Sequence, residues 1–520
     1  MKISLFSRTM VIRAGIAILL ILSAFNYNIV SPVTDGFHEG EYLGTLWTMR
    51  MYFAGSVPFP LLVHGPMDFI PALWAGTIAG DGSIIALTRT INTLFAGLTW
   101  VLFFDAILVS LRQNEHRYAA GAVCFLLFLG MTAIIPADVV ERQQAFLAIR
   151  DIFLVASLWC LVRGFSAGSA IGRYGFVIAS GAAAAASLFW AYDRFLAAIA
   201  FGGGVVLVLL VKRAWKPILA LLSGGLATLL ILPLIAPVGT LADNASNLLY
   251  WVRHSGEVWR MSYLARVPAI PTAAAMMVLL LVFAKAWYDE KRQERDDLTL
   301  AFAAGLLALQ AFFLLKYLNL PRSPNNYYFV WPFILIVSTL TIRWRASRPI
   351  DNGLRSGCSA LAEIGPLKQK GLILATSCLL VIVCSNMIWA SISNLRALLR
   401  LPTDAELLPA AVVNASRDPA LARNGCVLLW SNEGIFATAL RRPFCTDYMY
   451  PVYASHADED KLVRQIAARP PALVIMDSKF WSMHIYDRSM HERLPAAERV
   501  LTGRYVLLPR GGYKIGVADR

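Results

Sequence analysis

DGFHEGEY, Asp35 to Tyr42, opens the chemistry of a segment, Ser31 to Ser83, that separates the first long apolar run of this chain from the second. LLVHGPMDFIP, Leu61 to Pro71, follows in the same segment. Asp35, His38, Glu39, Glu41 and Asp68 thus gather in one connection of a chain short of carboxylates, with 33 Asp and Glu against 47 Lys and Arg in 520 residues. Ionisable groups at membrane depth are costly and often functional, so acids gathered beside a bilayer invite a chemical explanation. A solvated loop that happens to be acidic is the other reading.

Composition sets the class. The chain is 58% hydrophobic and 15% charged, with a mean hydropathy of +0.58. A soluble domain could not hide that much apolar surface, so the sequence reads as a polytopic membrane protein. The net charge of +14 comes from short basic clusters between apolar runs, where the positive-inside rule puts them, and nucleic-acid binding is not indicated. Seven cysteines are too few and too scattered for a disulfide framework.

Apolar windows of spanning length fall at about 10–30, 84–110, 118–136, 145–163, 175–191, 195–211, 217–237, 268–287, 299–317, 328–343 and 371–390. That predicts about eleven transmembrane helices, the first a retained signal anchor with its N-terminus in the cytoplasm. The junctions then expected in the cytoplasm hold Arg112, His116 and Arg117; Arg163 and Arg173; Lys212, Arg213 and Lys216; Lys285, Lys291, Arg292 and Arg295; and the basic run Arg343 to Lys370. The outer junctions carry most of the acids that lie before the C-terminal domain. The pair at 175–211, joined by Tyr192-Asp193-Arg194, is the critical step: were it one helix, the C-terminal domain would change sides.

Residues 1–390 read as the membrane domain and 391–520 as a small α/β domain on the periplasmic side. CVLLW (Cys426 to Trp430), ALVIM (Ala472 to Met476), YVLLP (Tyr505 to Pro509) and YKIGV (Tyr513 to Val517) read as buried strands, and Asp458 to Ala468 as an amphipathic helix. Cys426 and Cys445 are the domain's only cysteines, and on an oxidising face they could pair. No Walker A, GxGxxG, HExxH or paired CxxC motif is present, so nucleotide hydrolysis, nicotinamide chemistry and thiolate-zinc sites have no support.

The acidic pair early in the first outer loop, the downstream HGPM beside PALW (His64 to Trp74), and SIIALTRTINTLFAG (Ser83 to Gly97) opening helix two resemble the C-type polytopic glycosyltransferases. That superfamily includes protein O-mannosyltransferases, aminoarabinose transferases and oligosaccharyltransferase catalytic subunits. The resemblance implies a fold of that type and a polyprenyl-phosphate sugar as donor. In the family the loop reads Asp-Glu-Gly followed by an aromatic, and FHEGEY sets His38 and Glu39 against that pair. His38 therefore stands where the family has its catalytic Asp, and Asp35 or Glu41 could move into the role. An extended or turned backbone would let Asp35, Glu39 and Glu41 approach one point; a helix would put Asp35 and Glu39 on one face and Glu41 off it. The order of candidates is Glu39, Asp35, Glu41.

An acceptor hydroxyl attacking a sugar C1 must lose a proton, and a carboxylate beside an apolar wall suits that task. The departing polyprenyl phosphate needs cations. LNLPRSPNNYYFVW (Leu318 to Trp331) offers Arg322 with Tyr327 and Tyr328, and the loop Val238 to Val267 offers Arg253 and Arg260, although arginine at a membrane boundary also serves as an anchor. Asp138 and Glu141 are secondary acids, with a local bridge to Arg142 as the alternative; His64 and Asp68 read as residues shaping the cavity. A divalent ion between acid and phosphate is compatible with the pattern, and no dense carboxylate cluster demands one.

The sequence therefore reads as an inverting hexosyl- or pentosyltransferase of the bacterial inner membrane, with a cell-envelope glycan, lipid or protein as acceptor. The rivals are a transporter or flippase for a lipid-linked glycan and a non-catalytic scaffold of the same fold. A transporter would show matching halves and ionisable midplane helices; here the acids gather outside and the halves do not match.

Overall fold

The computed structural model describes residues 13–110, 149–259, 297–319, 398–477 and 490–517, apart from isolated positions and short gaps within them. The windows at 118–136, 268–287, 328–343 and almost all of 371–390 lie outside the described residues, as do Asp35, Asp138, Glu141, Arg260, Arg322, Tyr327 and Tyr328.

The described helices before residue 320 are α1 (Arg13–Leu22), α2 (His38–Phe53), α3 (Ile70–Ala79), α4 (Ile84–Ser110), α5 (Ile152–Ser166), α6 (Ala170–Trp190), α7 (Tyr192–Val211), α8 (Trp215–Ile235), α9 (Leu241–Trp259) and α10 (Asp297–Asn319). Among the described residues, α4, α6, α7 and α8 are long and apolar enough to cross a membrane. On α8, Leu219, Leu222, Leu226, Leu230, Leu234 and Ile235 are each more than half exposed. Water does not tolerate an aliphatic face of that size, so lipid covers it. Inside the bundle, Trp100, Phe103, Leu154, Leu158, Phe201, Phe302 and Leu306 form the core. One extended residue, Ala191 (φ −155°, ψ 111°), separates α6 from α7, so the pair at 175–211 is two helices.

The segment between the first two apolar runs is no solvated loop. From Glu39 to Met49, every residue of α2 except Trp47 is buried. Its N-terminal half lies against the turn Gly434–Phe436, where a Cβ on Gly40 would stand 2.6 Å from Gly434 Cα. Only glycine permits that approach. Around it, Ile435 N–H donates to Gly36 O (3.2 Å) and Leu61 N–H to Asp447 O (2.7 Å). Phe444 N–H donates to the Thr48 hydroxyl at 3.2 Å. Phe37, Leu46 and Phe69 share one core with Leu428, Tyr450 and Ile475, so first segment and C-terminal domain are packed as a unit.

The C-terminal domain holds a four-stranded sheet in the order β1-β2-β4-β3, with β1 Val427–Leu429, β2 Leu473–Asp477, β3 Leu508–Arg510 and β4 Tyr513–Val517. The β1–β2 pair is parallel and the others antiparallel. Helix α11 (Glu459–Ala468) falls at the predicted helix. Cys426 and Cys445 form a disulfide. YVLLP is corrected: the strand starts at Leu508 and is exposed throughout, because it forms the sheet edge where Pro509, lacking an N–H, is tolerated.

Candidate active site

Glu39 and Glu41 stand in the first turn of α2. Two steps along a helix turn a side chain by about 200°, so these carboxylates face opposite ways and meet different partners. Glu39 is fully buried. Arg89 of α4 grips it with both ends, Nε to Oε1 at 2.5 Å and Nη2 to Oε2 at 2.8 Å. The remaining Arg89 nitrogen donates to Ser31 O at 2.8 Å and to Ile29 O at 3.4 Å. A bidentate, desolvated fork of this kind fixes geometry, and here it pins the start of α2 to α4.

Glu41 lies in a richer setting. Arg150, two residues before α5, donates from Nη2 to Glu41 Oε2 at 2.9 Å. The Tyr453 hydroxyl donates to Oε1 at 3.3 Å. His64 Nε2 stands 3.5 Å from Oε2, while its Nδ1 is 2.5 Å from Asp68 Oδ2. Glu41, His64, Asp68 and Tyr453 are all buried. Burial first, and the Glu41 charge second, push Tyr453 well above the usual tyrosine range, so it remains an O–H donor. The Asp68 carboxylate orients the His64 ring and leaves its Nε2 facing Glu41.

The HGPM stretch is held by helix ends. Gly65 N–H donates to Trp190 O at 3.1 Å, and a Cβ on Gly65 would come within 2.5 Å of Trp190 N. Pro66 opens the single 3-10 turn that carries Asp68, one turn on from His64. Helix α9 clamps the other side: Trp251 Nε1 donates to Leu62 O at 2.7 Å, and the Tyr250 hydroxyl to Tyr453 O at 2.8 Å. Arg194 pairs with its neighbour Asp193 through Nη1, and its Nε donates to Asp151 Oδ1 at 2.5 Å. That knot fixes the residue after Arg150.

Of the residues singled out in the sequence, Glu41, His64 and Asp68 come together. Glu39 goes to Arg89, and His38 is half-buried with its ring edge-on to Phe37, centroids 5.0 Å apart. Arg253 is exposed on α9. Among the described residues no group of three or more His, Cys, Asp or Glu side chains could hold a metal ion. Sequence reading passed over Arg89, Arg150 and Tyr453. A signal was present for the first two, because an arginine inside an apolar window must find an acid.

No protein-family model matches the chain, and no curated protein matches it in sequence. Similar solved structures do exist. Two are of ArnT from Cupriavidus metallidurans, one bound to undecaprenyl phosphate and one in the apo state. Each is 12% identical over 98% of this chain and 98% of its own, with TM-scores of 0.49 and 0.47. At that identity the role of each residue in this chain rests on the geometry above.

Proposed function

We infer that this chain is an integral-membrane glycosyltransferase moving a sugar from a polyprenyl-phosphate donor to a cell-envelope glycan, lipid or protein, with Glu41 as its base. The observation that carries the reading is the buried set Glu41, His64, Asp68 and Tyr453, joined by the half-buried Arg150, where α2, the bundle and the α/β domain meet.

In the proposed step the acceptor hydroxyl attacks C1 of the sugar and gives its proton to Glu41. The C1–O bond to phosphate breaks with its electron pair, and a single displacement inverts the anomeric centre. His64, held by Asp68, receives the proton from Glu41 in turn. Charge accounts for Arg150: when Glu41 is neutralised, the guanidinium loses its partner just as the departing phosphate gains a negative charge. Glu39 keeps α2 in place through Arg89. Arg322, Tyr327, Tyr328, Arg253 and Arg260 remain candidates for holding the donor phosphate, and Asp138 and Glu141 for the acceptor.

Charge supports one sidedness. The start of α4 meets Asp404 of the α/β domain, whose Oδ1 accepts from Ile85 N–H at 2.9 Å. The far end of α4 meets Arg13 and Arg163, and the positive-inside rule places that end in the cytoplasm. This supports a periplasmic α/β domain in a bacterial inner membrane, an oxidising side that suits the Cys426–Cys445 disulfide. Deleting the gene and comparing envelope glycans by mass spectrometry tests the reading: one sugar missing, and restored by the wild-type gene but not by Glu41→Gln, supports it, while an unchanged glycan profile removes it.

A further inference from the structure

At the far end of the bundle a cleft of about 340 Å³ opens between α1, α4 and α5, within the range of small-molecule sites. Among the described residues three charged side chains line it: Arg13, Asp105 and Arg163. The rest of the described lining is apolar apart from the Trp159 indole N–H, with Ile16, Leu20 and Leu102 among the wall residues. Asp105 holds the group together. Its Oδ2 accepts from Trp159 Nε1 at 2.7 Å and from Arg163 Nη2, and its Oδ1 stands 3.8 Å from Arg13 Nη1. The Arg163 guanidinium lies over the Trp159 ring, 5.4 Å from its centroid.

Among the described residues the charges do not cancel. Two guanidinium groups face one carboxylate there, and that carboxylate occupies one nitrogen of Arg163 while Arg163 Nε finds no hydrogen-bond partner among them. Arg13 meets Asp105 only at the limit of an ion pair, and its side chain is 39% accessible. A bridge that served only to neutralise a membrane arginine would need one cation and no cleft. Here a surplus positive charge looks into a space with aliphatic walls, beside a tryptophan of the kind found at the headgroup level.

We propose that this cleft binds the phosphate of an anionic glycerophospholipid of the adjacent leaflet, with an acyl chain along the Ile16, Leu20 and Leu102 wall. The phosphate diester sits between Arg13 and Arg163, which donate to its oxygens; Asp105 keeps Arg163 and Trp159 aligned. The site stands apart from Glu41 and does not depend on the catalytic reading.

The test uses full-length protein in a neutral detergent, incubated with equal amounts of phosphatidylglycerol and phosphatidylcholine of the same acyl composition, and native mass spectrometry to count retained lipids. Wild type should retain phosphatidylglycerol about tenfold over phosphatidylcholine, the size of one charge-assisted contact. Arg13→Gln/Arg163→Gln should bring the ratio to parity; Arg13→Gln alone, which leaves the Asp105–Arg163 contact intact, should lower it several-fold. Equal retention by wild type, or an unchanged preference in Arg13→Gln, overturns the proposal. So does displacement of the lipid by excess inorganic phosphate alone, which would make this a site for a free anion.

Discussion

Replacing Arg89 by methionine strands the Glu39 carboxylate in a fully buried position. Breaking a buried pair from one side costs about 3–5 kcal/mol, because the remaining charge has no compensation. The carbonyls of Ser31 and Ile29 lose their donor as well, at about 1 kcal/mol each. Together these lower the melting temperature in detergent by on the order of 10 °C or more. Glu39→Gln/Arg89→Met removes the charge problem and leaves only the hydrogen-bond losses, so it should melt well above the single variant. Fluorescence-detected melting of the purified full-length proteins reads the difference, and sugar transfer is measured on the same samples. If Glu39 only holds α2, the double variant keeps transfer. An Arg89→Met protein that melts like wild type would refute the structural role. A double variant that is stable yet inactive would return Glu39 to the chemistry.

Asp404 provides a pH test. One of its oxygens caps α4 and the other, Oδ2, is buried without a hydrogen-bond partner among the described residues; burial pushes the group up to about 6, against the capping bonds that pull it down. An acid raised in the folded state stabilises while it is neutral, and that stability is lost as pH rises from the unfolded value toward about 6, roughly 3 kcal/mol for a shift of this size. Melting temperature should therefore fall between about pH 4 and pH 7, and Asp404→Asn should flatten that slope; an unchanged slope in the variant counts against it. Gly40→Val forces α2 away from Gly434, and limited proteolysis should find the α/β domain loosened where wild type resists. His64→Ala and Asp68→Asn should slow transfer by about 10–100-fold and shift its pH profile, with folding checked by melting.

Much of the membrane domain was readable, because spanning helices need long apolar runs. The window 84–110 coincides with α4, and Tyr192-Asp193-Arg194 opens α7 where a break was expected. The first segment misled, since the mixed polar composition of HEGEYLGTLWTMRMYF resembles a surface loop. Its burial depends on Gly40 and Gly44 meeting Gly434, a contact across almost the whole chain that local periodicity does not encode. Sequence separation likewise hid Arg150, 109 residues away, and Tyr453, 412 residues away, as partners of Glu41. The ranking of Glu39 above Glu41 followed the family pattern; the helix beginning at His38 sends the two carboxylates apart, and their distinct partners, Arg89 for Glu39 and Arg150, His64 and Tyr453 for Glu41, are brought in by distant parts of the chain.

The central claim is that Glu41 takes the acceptor's proton, and the most direct measurement is the rate of sugar transfer by purified Glu41→Gln from a polyprenyl-phosphate sugar. A fall of about 10²–10⁴-fold, with the melting temperature close to that of wild type, is the predicted result. Transfer at the wild-type rate would contradict it.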